Sequence, residues 1–199
     1  MNIGIIGSAG RGSDSAKLDQ EKWEQMRAAT QSVIDSLIFN ISGFDGNLTL
    51  VSGGAGWADH IAVSLYYRQY ANNLLLHLPC KFSLELGYFE GDQTAKTANY
   101  YHLKFSEKVS AYEWKSLRQI GEVIRKGAEI TVSNGFFERN SLVARDSDYL
   151  IALTFGEKDL LKDGGTMDTM RKFIKQKGDK NSFHIDLNTM EIYSPARVL

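Results

Sequence analysis

Apolar residues in this chain fall into two kinds of run: short unbroken stretches, and positions spaced three and four apart. The stretch NIGIIG (Asn2–Gly7) is a short apolar run closed by glycine, the pattern of a buried strand entering a turn. Trp23, Met26, Thr30, Val33, Ile34, Leu37 and Ile41 then recur at helical spacing and predict an amphipathic helix. NLTLVSGGAG predicts a second strand running into a glycine loop. Ala58, Ile61, Ala62, Leu65 and Tyr66 form a second helical face, and NLLLHLP (Asn73–Pro79) a third buried strand.

The rhythm breaks over residues 80–116, which are aromatic and polar without strand–helix alternation. They read as an insertion or lid in a single domain spanning 1–199. Helical spacing returns with Leu117, Ile120, Val123 and Ile124, and Gly127 is placed as a helix stop. AEITVS (Ala128–Ser133) and DYLIALTF (Asp148–Phe155) predict strands. A helix is expected over Met167, Met170, Phe173 and Ile174, and a last strand over SFHIDL (Ser182–Leu187).

Strands alternating with helices predict an α/β fold with a mostly parallel sheet covered on both faces. Ligands of such sheets bind beyond the carboxyl ends of the strands. Three glycine-rich segments follow predicted strands, so they are expected to converge on one crevice.

Bulk composition narrows the function little. The chain has 199 residues, 43% hydrophobic and 24% charged, with a formal net charge of −1. No overall basic field points to nucleic acid. A single cysteine, Cys80, excludes an internal disulfide and fits a reducing, cytoplasmic setting. No apolar run reaches membrane-spanning length, and the start MNIGIIGSAG lacks the pattern of a signal peptide. His60, His77, His102 and His184 show no metal-ligand spacing, so no metal is expected, and no cofactor.

Four segments carry candidate chemistry. In GSAGRG, Gly7 lets the backbone approach an anion, and Ser8 and Arg11 add donors. The spacing matches neither a dinucleotide fingerprint nor a Walker loop. In SGGAGWAD, Ser52, Gly53, Gly54 and Ala55 lead into a helix start suited to phosphate, and Asp59 is placed to meet a ribose hydroxyl or the helix dipole. In FFERNSLVARDSDYLIAL, Arg139 can fork onto a phosphate beside Glu138 and Asn140, while Asp146 and Asp148 read as strand-entrance caps. In KDGGTMDTM, Gly164, Gly165 and Thr166 present N–H groups and a hydroxyl, with Asp168 and Thr169 in the first helical turn. In the insertion, Tyr100, Tyr101 and His102 are either base-stacking residues or core. The segment Met170–Lys180 is basic outside and apolar inside, a solvated helix face with single-strand binding as the alternative.

Together these segments resemble the SLOG superfamily of Rossmann-like domains, which includes the DNA-processing (DprA/Smf) proteins and the Lonely Guy nucleotide phosphoribohydrolases. LVSGGAGWADHIA is similar to the glycine loop of the DNA-processing branch. FFERNSLVARDSDYLIAL is similar to segments of both, and GGTMDTM to their phosphate-binding Gly-Thr loop. The resemblance covers about residues 1–79 and 128–187. It implies a nucleotide or nucleotide-derived ligand, and a homodimer or higher homo-oligomer. It also implies that Arg139 matches an arginine of the Lonely Guy enzymes, whereas Thr169 stands where they carry a glutamate. Asp168 is one residue early, about a hundred degrees round the helix.

Three functions are therefore expected as alternatives. One is a non-catalytic nucleotide-binding sensor, carrier or sequestering protein, with the insertion over the base. Another is an N-glycosidase or deoxyribosyltransferase-like enzyme using Arg139 and a carboxylate from Asp168, Asp163, Glu138, Glu85 or Glu90. The last is a single-stranded-DNA-binding recombination factor.

Overall fold

The computed structural model describes residues 1–109, 115–162 and 164–198. Its main sheet has seven strands: β1 (Asn2–Gly7), β2 (Thr49–Ser52), β3 (Asn73–Leu78), β6 (Glu129–Val132), β7 (Tyr149–Thr154), β8 (Ser182–Asp186) and β9 (Ile192–Tyr193). The two remaining strands, β4 (Phe82–Ser83) and β5 (Tyr88–Phe89), pair as a small antiparallel hairpin. The sheet order is β6-β3-β2-β1-β7-β8-β9. Every neighbouring pair is parallel except β8 with β9.

Six α-helices cover the sheet: α1 (Gln20–Asn40), α2 (His60–Tyr67), α3 (Gln93–Lys108), α4 (Ser116–Arg125), α5 (Phe136–Asp146) and α6 (Gly165–Lys177). Strand alternation sorts the core into two layers. Ile3 and Ile5 of β1, Leu50 of β2 and Ile151 and Leu153 of β7 face the larger cluster, with Trp23, Ile61, Phe105 and Ile120 from α1 to α4. Ile6, Val51, Leu150 and Ala152 face the other side, against Val143 of α5 and Met167, Met170 and Phe173 of α6. Among the described residues no helix is long and apolar enough to cross a membrane.

Two elements differ from the sequence reading. Residues 80–116, read as lacking regular structure, contain the β4–β5 hairpin and the sixteen-residue α3. The buried face of α3 is Ala95, Ala98, His102 and Phe105, two small residues and a histidine, which leaves almost no hydrophobic stripe to detect. The segment forms part of the crossover from β3 to β6, and Phe89 and Phe105 belong to the main core. Residues 110–114 lie outside the described part. The second difference is α5: the stretch from Phe136 is helical before β7 begins, with Val143 and Ala144 packed on the sheet.

The chain leaves β1 toward β2 on one side and reaches β7 on the other, so the strand order reverses between β1 and β7. A crevice opens at such a reversal because adjacent connections run to opposite faces.

Candidate functional site

A cavity of about 310 Å3 lies at this reversal. Its size is at the lower end of the range for small-molecule sites, roughly 300–1,000 Å3. Gly7, Ser8 and Arg11 enter from the β1 loop, and Ala55 and Asp59 from the β2 loop. Arg139 and Asn140 come from α5, and Gly164, Gly165, Thr166 and Thr169 from the start of α6. Segments separated by more than 150 residues thus share one wall-to-wall space, as parallel strand ends require.

The β1 loop is pinned from both sides. The Ser8 N–H donates to the Leu153 carbonyl at 2.8 Å, and the Ala58 N–H donates to the Ser8 carbonyl at 3.3 Å. Gly7 has no room for a side chain: a Cβ would stand 2.2 Å from the Leu153 oxygen. At the far wall, Gly164 turns with φ +131° before the first turn of α6. The Thr169 hydroxyl donates to the Gly165 carbonyl at 2.8 Å, and Asn140 Nδ2 donates to the same carbonyl at 3.4 Å. The N–H groups of a helix start, at the positive end of the dipole, favour an anion here.

Arg139 is more tightly held than a phosphate fork would be. Its Nε and Nη2 both donate to Asn140 Oδ1, at 3.1 and 2.9 Å. Nη1 donates to the Gly53 carbonyl at 3.1 Å and to Asp59 Oδ2 at 3.2 Å. The pair is buried, with side-chain exposures of 13% for Arg139 and 7% for Asp59. Burial raises the Asp59 carboxyl above its usual range, and Arg139 and backbone hydrogen bonds from Ala55 and Gly7 oppose that rise. Asp59 therefore ties the β1 loop, the β2 loop and α5 together.

Ser52, Gly53 and Gly54 are not among the residues lining the main cavity. Ser52 is fully buried; its hydroxyl donates to the Asp59 carbonyl at 2.8 Å and accepts from the Gly54 N–H at 3.0 Å. Gly54, at φ +64°, offers its carbonyl to His102 Nε2 at 2.8 Å. Gly53 and Gly54 line a smaller adjoining space with Tyr101, His102 and Phe136.

Asp168 is not in the cavity wall; its carboxylate meets Lys172 at 2.7 Å, one turn along the helix. Glu138 accepts from the Asn134 N–H at 2.6 Å, Glu90 pairs with Lys81, and Glu85 borders a separate groove. Asp163 lies outside the described residues. Asp148 accepts from the Asn2 N–H at 2.8 Å, and Asp146 pairs with Arg145 and His77. His102 is buried beneath the β2 loop, Tyr101 faces the adjoining space, and Tyr100 is exposed. Among the described residues no group of histidine, cysteine and acidic side chains is arranged to hold a metal ion.

Four polar or aromatic residues of the cavity are not singled out from the sequence: Asp14, Phe136, Thr154 and Lys162. Asp14 Oδ1 meets Lys162 Nζ at 2.5 Å, and Oδ2 accepts from the Ser8 hydroxyl at 3.0 Å. Asp14 sits in a short 3-10 turn (Gly12–Lys17) that bends its carboxylate back over the β1 loop. Lys162 stands two residues before Gly164 and its N–H donates to Thr154 Oγ1 at 3.2 Å. Phe136 lies beneath two guanidinium groups, 5.2 Å from Arg11 and 5.6 Å from Arg139; Arg11 is also 5.0 Å from the Tyr101 ring. Such placements of a cation over a ring are favourable.

No family model and no solved structure matches the chain. An uncharacterized protein of Acanthamoeba polyphaga mimivirus is 34% identical to it over 190 residues, covering 94% of this chain and 97% of that protein.

Proposed function

We propose that this chain, which belongs to the same family as the mimivirus protein, binds a nucleotide or nucleotide-derived phosphorylated ligand. It would act as a sensor, carrier or sequestering protein in a reducing, cytoplasmic compartment. Membership of the SLOG superfamily is part of the same proposal. The observation that carries it is the convergence of the β1 loop, Ala55 and Asp59, and the Gly164–Thr166 helix start on one cavity at the strand reversal. Backbone donors at a helix start and the guanidinium of Arg11 suit a phosphoryl group. Phe136 and Tyr101 hold that guanidinium over their rings.

The alternative of N-glycosidic cleavage has less support. Asp168 is turned to Lys172, and the carboxylates in the wall, Asp14 and Asp59, are each held by a cation. A recombination factor would need a basic groove for a strand, and the net charge of −1 offers no general field for one.

Calorimetry and thermal-shift measurements with mononucleotides, dinucleotides, ADP-ribose and cyclic nucleotides test the proposal. Binding heat and a raised melting temperature are expected with at least one. Silence across the whole panel refutes nucleotide binding. Release of free base on long incubation would establish cleavage instead.

A further inference from the structure

The charges inside the cavity can be counted. Among the described residues its charged lining side chains are Arg11, Asp14, Asp59, Arg139 and Lys162. Four of them are consumed in two ion pairs, Arg139 with Asp59 at 3.2 Å and Lys162 with Asp14 at 2.5 Å. Among the described residues Arg11 enters no ion pair and rests on the rings of Tyr101 and Phe136. Three cations against two carboxylates leave one positive charge among the described lining residues. The amino end of α6 adds the equivalent of roughly half a charge. A phosphate monoester carries about −1.5 to −2 at neutral pH. That matches one such group, whereas further phosphoryl groups would find two carboxylates and no spare cation.

Lys162 is not readily recruited. The Asp14 side chain is 10% exposed and already accepts from Ser8, so withdrawing the lysine would strand a nearly buried carboxylate.

We propose that the Asp14–Lys162 pair is a specificity device that restricts the site to ligands with a single phosphoryl group, as monoester or cyclic diester. The inference rests on the nucleotide-binding reading above and narrows its ligand class. By holding Lys162, Asp14 withholds the charge that a diphosphate would need.

The test is calorimetry of the full chain with AMP, cyclic AMP, ADP and ATP in metal-free buffer. Measurements are made on the wild type, Asp14→Asn, and the double variant Asp14→Asn with Lys162→Gln. The wild type is expected to bind AMP or cyclic AMP at least about tenfold more tightly than ATP. Asp14→Asn frees the lysine while keeping the side-chain shape, and should improve ADP binding relative to AMP by about tenfold. The double variant removes both charges and should return the wild-type order. Affinity that rises with each phosphoryl group in the wild type, or an order unchanged in Asp14→Asn, overturns the proposal while leaving nucleotide binding intact. No heat with any of the four overturns it together with mononucleotide binding. The AMP and cyclic AMP arms separate monoester from diester. Circular dichroism checks each variant's fold; should Asp14→Asn not fold, the wild-type order alone decides.

Discussion

Acid should destabilise this protein well before its carboxylates titrate. His60 and His102 are 0% and 1% exposed and meet edge to face, with ring centroids 5.9 Å apart. Burial pushes His60 down to about 3, helped by the neighbouring His102, and burial pushes His102 down to about 4, both from an ordinary 6.5. In the unfolded chain each imidazole takes up a proton below about pH 6.5; in the folded protein neither does until near pH 4 or 3. The unfolded state thus binds more protons throughout that window. The stability contributed is complete above pH 6.5 and is lost as the pH falls toward 4. At pH 5.0 each site has lost about 2 kcal/mol, at 1.36 kcal/mol per pH unit, and the two together about 4 kcal/mol. A domain of this kind has roughly 5–15 kcal/mol in total. Burial lowers His77 and His184 as well, which adds to the trend, while the raised Asp59 works against it. Urea unfolding at pH 7.5, 6.0 and 5.0 measures the effect. Fluorescence can follow it, since Trp23 is buried 6.3 Å from His60 and Trp57 is also buried. His102→Gln should flatten the dependence by about one proton. A free energy of unfolding that stays level from pH 7.5 to 5.0 would refute the claim that these imidazoles are held neutral.

Two substitutions probe other parts of the argument. Gly53→Ala would set a Cβ 2.4 Å from Arg139 Nη1 and 2.6 Å from its Cδ, so Arg139 must leave its pocket against the β2 loop. A loss of about 1–3 kcal/mol is expected on unfolding, together with at least tenfold weaker nucleotide binding by calorimetry. Asp19 caps α1 by accepting the Lys22 N–H at 2.8 Å and is not among the cavity's lining residues. Asp19→Ala should cost about 1 kcal/mol in urea unfolding and leave calorimetric affinities unchanged.

The local pattern along the chain was enough for most of the sheet. β1, β3 and β7 read as apolar runs because both of their faces are buried, and α1 reads as a helix because its Trp23–Ile34 stripe faces the core. α3 was not legible: Ala95, Ala98 and His102 are buried by neighbours, not by their own hydrophobicity. α5 was hidden for a related reason. Only Asn140, Val143 and Ala144 of its eleven residues are buried, so the apolar positions trace no helical stripe, and the partners of Arg139 and Glu138 come only from the structure.

For the candidate site, the sequence by itself determined where backbone could approach an anion, because glycine after a strand is a local property. Strand alternation likewise implied that these loops share one end of a parallel sheet. Only the tertiary structure decided what each side chain does there. It assigned Arg139 to Asp59 and Asn140, turned Asp168 toward Lys172, and brought Asp14 against Lys162 across the reversal between β1 and β7. Asp14 and Lys162 are 148 positions apart, and no periodicity links them. Their pairing exists because β1 and β7 are adjacent and parallel, so that loops leaving the same end of two neighbouring strands must meet.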